Sequence, residues 1–257
     1  MEFILICVVT FFASALTLFS GFGLGTILMP VFVLFFKVDI AIAMTAVVHL
    51  FNNFFKLALL GRLAEKRVVL IFGIPAAVAA FWGAQVLFKL DHLPAVFGYS
   101  LGLKEFFITP LKFSLAIIVF TFVLLETWPK FGQLKFDQKY LPWGGILSGF
   151  FGGLSGHQGA FRSVFLVKCG LSKESFIATG VVVACLVDLV RLAVYGQHSL
   201  HDALEGNVVL VIAAVIAAFI GVLVSNRLLK KITLIAVQRI VSGMLILIAV
   251  LLGAGII

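Results

Sequence analysis

Lys56, Arg162 and Arg191 stand inside apolar stretches of the chain, where a cation without a partner is costly. At the centre of a bilayer a Lys or Arg costs about 3 kcal/mol or more, so such residues face a protein interior and mark a route for a charged substrate. His49, Asn52, Asn53 and Lys56 follow i, i+3, i+4, i+7 spacing and share one broad helical face. Lys56 is six residues from Arg62, roughly 9 Å along a helix, so a lysine that reaches the headgroups is the competing reading. Asp188 and Arg191 are three apart and can neutralise one another. They form either a structural ion pair or a working one, in which Arg191 attracts an anion while Asp188 balances charge or takes a proton.

Two glycine-rich segments lie within long apolar runs, SGFGLGT at 20–26 and GGLSGHQG at 152–159. Helix breaks at membrane depth are tolerated where the freed backbone is buried in protein or lines a wet cavity. A half-helix starting after Gly25 or Gly159 would aim unpaired N–H groups and the positive end of its dipole inward, an arrangement suited to an anion. Gly23, Gly25, Thr26, Gly156, His157, Gln158 and Gly159 are therefore candidate substrate contacts, with Asn52, Asn53, Lys56 and Arg191. The competing account is close helix packing through small residues; it does not require both breaks to fall at corresponding places in overlong segments. His157 can also carry a coupled proton, since imidazole titrates near neutrality. His198, His201 and Asp202 form only a weak metal pattern, and neither metal nor cofactor is expected.

The elements that must position these residues are membrane helices. Of 257 residues 63% are apolar and 12% charged, with mean hydropathy +1.23, against about half and about a quarter in soluble domains. A net charge of +8 on so few charges leaves no broad basic patch, which excludes a nucleic-acid surface. Cys7, Cys169 and Cys185 are too scattered for a disulfide framework or a zinc site. No Lys or Arg precedes the first apolar run, so it reads as a retained membrane segment, although Ala13-Ser14-Ala15 looks like a cleavage site. Runs of about twenty apolar residues predict spans at 39–60, 68–90, 111–127, 174–195, 207–226 and 236–256.

Segment 141–167 is too short for two crossings and long for one, which predicts a re-entrant hairpin. Twelve of the nineteen basic residues fall in four groups: Arg62 to Arg67, Lys130 to Lys139, Lys168 with Lys173, and Arg227 to Arg239. Placing all four in the cytoplasm requires that hairpin and puts 196–206, 91–110 and the Lys37 loop outside. The same logic leaves 3–36 open as a hairpin, two short spans or one broken helix. An internal repeat is also visible. Offset by 134, Gly25 falls on Gly159 and Thr45 on Thr179; offset by 135, Asn53 falls on Asp188 and Lys56 on Arg191. The expected architecture is an all-α integral membrane fold of two inverted repeats, each a glycine-broken hairpin followed by three spans. Residues 1–127 form the first repeat, 128–140 a cytoplasmic linker and 141–257 the second.

Gly21, Gly23, Gly25 and Pro30, the following Ala-x-x-x-Thr, and the GGxSGxxG pattern from Gly152 to Gly159 resemble the TauE/SafE family of sulfite and organosulfonate exporters over nearly the whole chain. Here His157 and Gln158 stand where small residues are commoner, and Arg162 where a proline would match Pro30. The resemblance implies an inner-membrane, multi-pass carrier of small sulfur-containing anions, commonly outward, and not an enzyme. No HExxH, paired-Asp or Ser-Lys pattern contradicts that. The expected partners are a small inorganic or organosulfur anion and the lipid bilayer, with proton coupling and a homodimer as further expectations. An anion channel and a carrier of another organic anion, such as a carboxylate, are the alternatives.

Overall fold

The computed structural model describes residues 2–20, 24–128, 130, 133–134, 136–228 and 234–257, without the side chains of 18–20, 226–228 and 234–241. It is 80% helical, as expected where a backbone must satisfy itself in hydrocarbon. In chain order the helices are α1 (Glu2–Ser20), α2 (Leu24–Val33), α3 (Val38–Leu60), α4 (Lys66–Val68), α5 (Ile74–Asp91), α6 (Pro110–Thr127), α7 (Leu141–Ser155), α8 (Gly159–Leu166), α9 (Lys173–Tyr195), α10 (Leu200–Leu204), α11 (Val208–Leu228) and α12 (Leu234–Gly253).

Among the described residues five stretches are long and apolar enough to cross a membrane: Val38–Leu63, Lys66–Asp91, Pro110–Thr127, Lys173–Tyr195 and Val208–Ser225. All six spans expected from apolar length correspond to helices whose ends agree within three residues. Within Lys66–Asp91 the chain widens into a π turn at Val69–Gly73. Pro75 has no N–H to donate to Ile71, which frees a carbonyl where the helix widens.

Within 3–36 the described residues form a 19-residue helix, α1, and a ten-residue helix, α2, packed on α1 and α3. The second break has the same plan: α7 has 15 residues, α8 has eight, and they pack together. At about 1.5 Å per residue α7 is near 22 Å, short of the roughly 30 Å of a hydrocarbon core. Elsewhere α1 lies against α11, α5 against α7, α6 against α12, and α3 against α9. The last two run antiparallel: His49 meets Asp188, whereas the backbone N–H of Glu65 donates to Thr179 Oγ1 at 2.9 Å.

Glycine lets α7 approach α5 at backbone distance. A Cβ at Gly145, Gly149 or Gly153 would overlap the carbonyl of Phe72, Ala76 or Ala80, one α7 turn after another. Gly221 of α11 meets the Phe11 carbonyl of α1 in the same way. Gly149→Ala is therefore expected to cost about 1–3 kcal/mol by overpacking, read as a lower melting temperature. Gly243→Ala, with nothing within 4 Å of the added carbon, is expected to leave melting nearly unchanged.

One element departs from an all-helical reading. Phe97–Leu101 and Lys104–Ile108 pair as an antiparallel hairpin, in register from Phe97↔Ile108 to Leu101↔Lys104. The turn is Gly102-Leu103, with Gly102 at φ +64°. Tyr99 Oη donates to the Ala254 carbonyl at 2.7 Å, docking the hairpin on the end of α12. Phe97, Tyr99 and Phe106 stack along it.

Lys168 Nζ donates to Asp137 Oδ1, joining the 128–140 stretch to the turn after α8. That hydrogen bond, and then the ammonium's charge, hold the Asp137 carboxyl below the usual carboxylate range. A lowered folded pKa means the link is complete above the ordinary carboxylate pKa and is lost as pH falls through the lowered one. Lys168→Ala is expected to move the Asp137 titration, followed by carboxyl NMR, to higher pH.

Candidate anion-binding site

Helix α3 brings Thr45, His49, Asn52, Asn53 and Lys56 inward, all buried, so the shared face expected from their spacing is present. Helix α9 faces it with Asp188 and Arg191, both 0% exposed. Asp188 is the hub. His49 Nδ1 lies 2.6 Å from Oδ2, and Asn53 Nδ2 donates to the same oxygen at 3.2 Å. Arg191 Nε donates to Oδ1 at 3.0 Å. A carboxylate accepts only, so Nδ1 of His49 carries the proton of that contact. This fixes the ring so that its Cδ2 edge turns to Gly25, 4.0 Å from where a Cβ would stand.

The two breaks meet beside this hub. A Cβ on Gly25 would lie 3.4 Å from the Gly156 carbonyl and 3.8 Å from Thr45 Cγ2. Gly156 ends α7 in the left-handed region, φ +83°. Its open side faces the Arg191 guanidinium, with Nη1 3.0 Å from the Cβ position. Arg191 Nη1 also donates to the Gly152 carbonyl at 3.4 Å. One arginine thus bridges the carboxylate of α9 and the backbone of the second break. Tyr195, one turn on, donates its hydroxyl to the Gly153 carbonyl.

The loop from Gly156 to Gln158 is held by its own backbone. The Gln158 N–H donates to Gly156 at 3.1 Å, and the Gln158 carbonyl accepts from Ser148 Oγ at 2.8 Å. His157 Nδ1 lies 3.1 Å from Ser155 Oγ, and its ring is 5.4 Å from that of Phe122. Among the described residues several buried polar atoms here have no hydrogen-bond partner: Thr45 Oγ1, His157 Nε2, both amide atoms of Gln158, Arg162 Nη1 and Arg191 Nη2. Arg191 Nη2 is 2.8 Å from Asp188 Oδ1 without the alignment of a hydrogen bond. Unpaired buried donors carry a desolvation cost that a bound acceptor removes.

The structure brings together Gly25, Asn53, Asp188, Gly156 and Arg191, with Gln158 against Gly152 and with Thr26 and Gly159 buried in α2 and α8. Asn52 turns the other way, 2.9 Å from Ser14 of α1. Lys56 is 5% exposed and makes no hydrogen bond or ion pair with any described residue; burial disfavours the reading in which it reaches the headgroups. Gly23 lies outside the described residues. Among those residues no cluster of His, Cys, Asp and Glu has the grouping of a metal site, and the His198 ring stacks on Phe88 at 4.2 Å. His49 is the member that sequence reasoning placed on the right face without assigning it a role. The signal is its i, i+4 relation to Asn53, which an offset of 135 in the sequence aligns with Asp188.

Asp188 is the only fully buried carboxylate, and the residues outside the description include no Asp or Glu. Lys56, Arg162 and Arg191 against Asp188 amount to three positive charges and one negative, a formal +2 in the bundle. A family model described as Sulfite exporter TauE/SafE matches residues 6–252. Neither curated proteins nor solved structures give a match.

Proposed function

Because the chain belongs to the sulfite exporter TauE/SafE family, we propose that it is a secondary carrier of small sulfur-containing anions, sulfite or a sulfonate, in the cell's inner membrane. The observation that carries this reading is the meeting of two glycine breaks, Gly25 against Gly156, beside a buried arginine. The anion binds there between half-helix N-termini, where backbone N–H groups and the Arg191 fork match an oxyanion. Gln158 shapes the site and His157 lines it.

Transport proceeds by alternating access, with two inverted halves rocking about the anion. The packing supports a two-fold plan: α1 on α11 is the counterpart of α7 on α5, while α3 with α9 and α6 with α12 each pair with their own equivalents. Asp188 and His49 form a coupled acid and base next to the anion, which suits proton coupling. Lys and Arg in the loops orient the protein with 196–206 outside.

Uptake of radiolabelled sulfite by proteoliposomes tests the reading. Saturable uptake, competed by thiosulfate or a sulfonate and indifferent to the accompanying cation, is expected. Flux that rises linearly with concentration favours the channel alternative. Cysteine labelling of 196–206 from the cytoplasmic side alone contradicts the inverted arrangement.

A further inference from the structure

Lys56 and Arg162 remain outside the Asp188 hydrogen-bond network. Lys56 lies seven residues beyond His49 on α3, about 10 Å along the axis. Arg162, on α8, packs its Nε 3.2 Å from the Cβ position of Gly180 on α9. Gly180 is eight residues before Asp188, about 12 Å. Because α3 and α9 are antiparallel, both displacements run the same way, toward the Glu65 to Thr179 hydrogen bond. The two cations therefore occupy one level, within electrostatic reach of each other, between the helix breaks and the basic loop holding Arg62, Lys66 and Arg67.

No carboxylate forms an ion pair with either cation among the described residues. Arg191 shares Asp188 directly; the partly buried Arg162 lies within electrostatic reach of Asp188 but its buried Nη1 donor has no hydrogen-bond partner among the described residues, and Lys56 is 5% exposed. Two like charges at one level in a low-dielectric bundle repel, and the cost is relieved by an anion between them. A compact ammonium beside a planar guanidinium supplies donors for several oxygens of one tetrahedral or pyramidal oxyanion. Two positive charges match a doubly charged one.

We infer that Lys56 and Arg162 form a second anion site, one step from the helix breaks toward the basic loops, and that this site selects doubly charged oxyanions over singly charged ones. It rests on the carrier reading, as a station through which the substrate reaches or leaves the central site. Gly180 positions it, since a Cβ there would stand 3.2 Å from Arg162 Nε and a larger, branched side chain would displace the guanidinium.

The test is calorimetric titration of the purified full chain with sodium thiosulfate, a dianion, and sodium methanesulfonate, a monoanion, at fixed ionic strength. Wild type is expected to prefer thiosulfate by about tenfold or more. Lys56→Met and Arg162→Gln are each expected to reduce that preference to within about threefold while methanesulfonate still binds, and Lys56→Arg to retain it. Gly180→Val, which leaves both cations in place, is expected to lower the preference as Arg162→Gln does. Equal binding of the two anions by wild type, which requires no variant to fold, overturns the inference and leaves the carrier reading standing. Persistence of the preference in Lys56→Met or Arg162→Gln also overturns it. Failure of wild type to bind either anion overturns both.

Discussion

Arg191→Gln is expected to lower sulfite flux in proteoliposomes by at least about tenfold, and to destabilise the protein as well. The two effects have different origins. Arg191 donates to Asp188 and to Gly152 from a fully buried position, so its loss leaves a buried carboxylate short of its main cation. Breaking a buried pair from one side costs about 3–5 kcal/mol. A charge-assisted bond to the anion is worth about 1.5–3 kcal/mol, or about ten- to a hundredfold in affinity. The double variant Asp188→Asn/Arg191→Gln removes both charges. It is expected to recover most of the melting temperature lost in the single variant while transport stays low. Recovery of transport along with stability would make the pair structural only.

Gly156→Ala carries the second large effect. At φ +83° an L residue is strained by about 1–2 kcal/mol, and the new methyl would lie 3.0 Å from Arg191 Nη1. The guanidinium must give by a few tenths of an ångström while held by Asp188 and Gly152, and flux is expected to fall about tenfold or more. Gly170→Ala supplies the comparison, because Gly170 also has positive φ, +69°, with nothing within 4 Å of an added carbon. Both variants should lose similar stability from backbone strain, with flux lost only at Gly156. Gly25→Ala, at 3.4 Å from the Gly156 carbonyl, is expected to be milder than Gly156→Ala.

Local regularities were legible in the sequence and tertiary ones were not. Span positions follow from apolar length, the breaks from glycines in overlong apolar runs, and the buried face of α3 from helical spacing. Asp188 and Arg191 pair as their three-residue separation allows. The direction each side chain takes across the bundle is set by neighbours that spacing does not name. Asn52 and Asn53 are adjacent in sequence, yet one reaches Ser14 of α1 and the other Asp188 of α9. Lys56 aligned with Arg191 in the repeat, but the antiparallel packing of α3 and α9 sets it level with Gly180 and Arg162 instead. Residues 91–110 read in the sequence as an outer loop, and the structure places the hairpin at 97–108 within it. Its signal was a glycine turn between runs rich in aromatic residues, too short to compete with the membrane segments around it.

The anion is expected where the two helix breaks meet. Anomalous diffraction from crystals soaked in selenite, a heavier analogue of sulfite, locates it. A selenium peak is expected between Gly25, Gly156 and the Arg191 guanidinium; peaks confined to the basic loops around Arg62 to Arg67 or Lys168 would place the anion elsewhere and overturn the site.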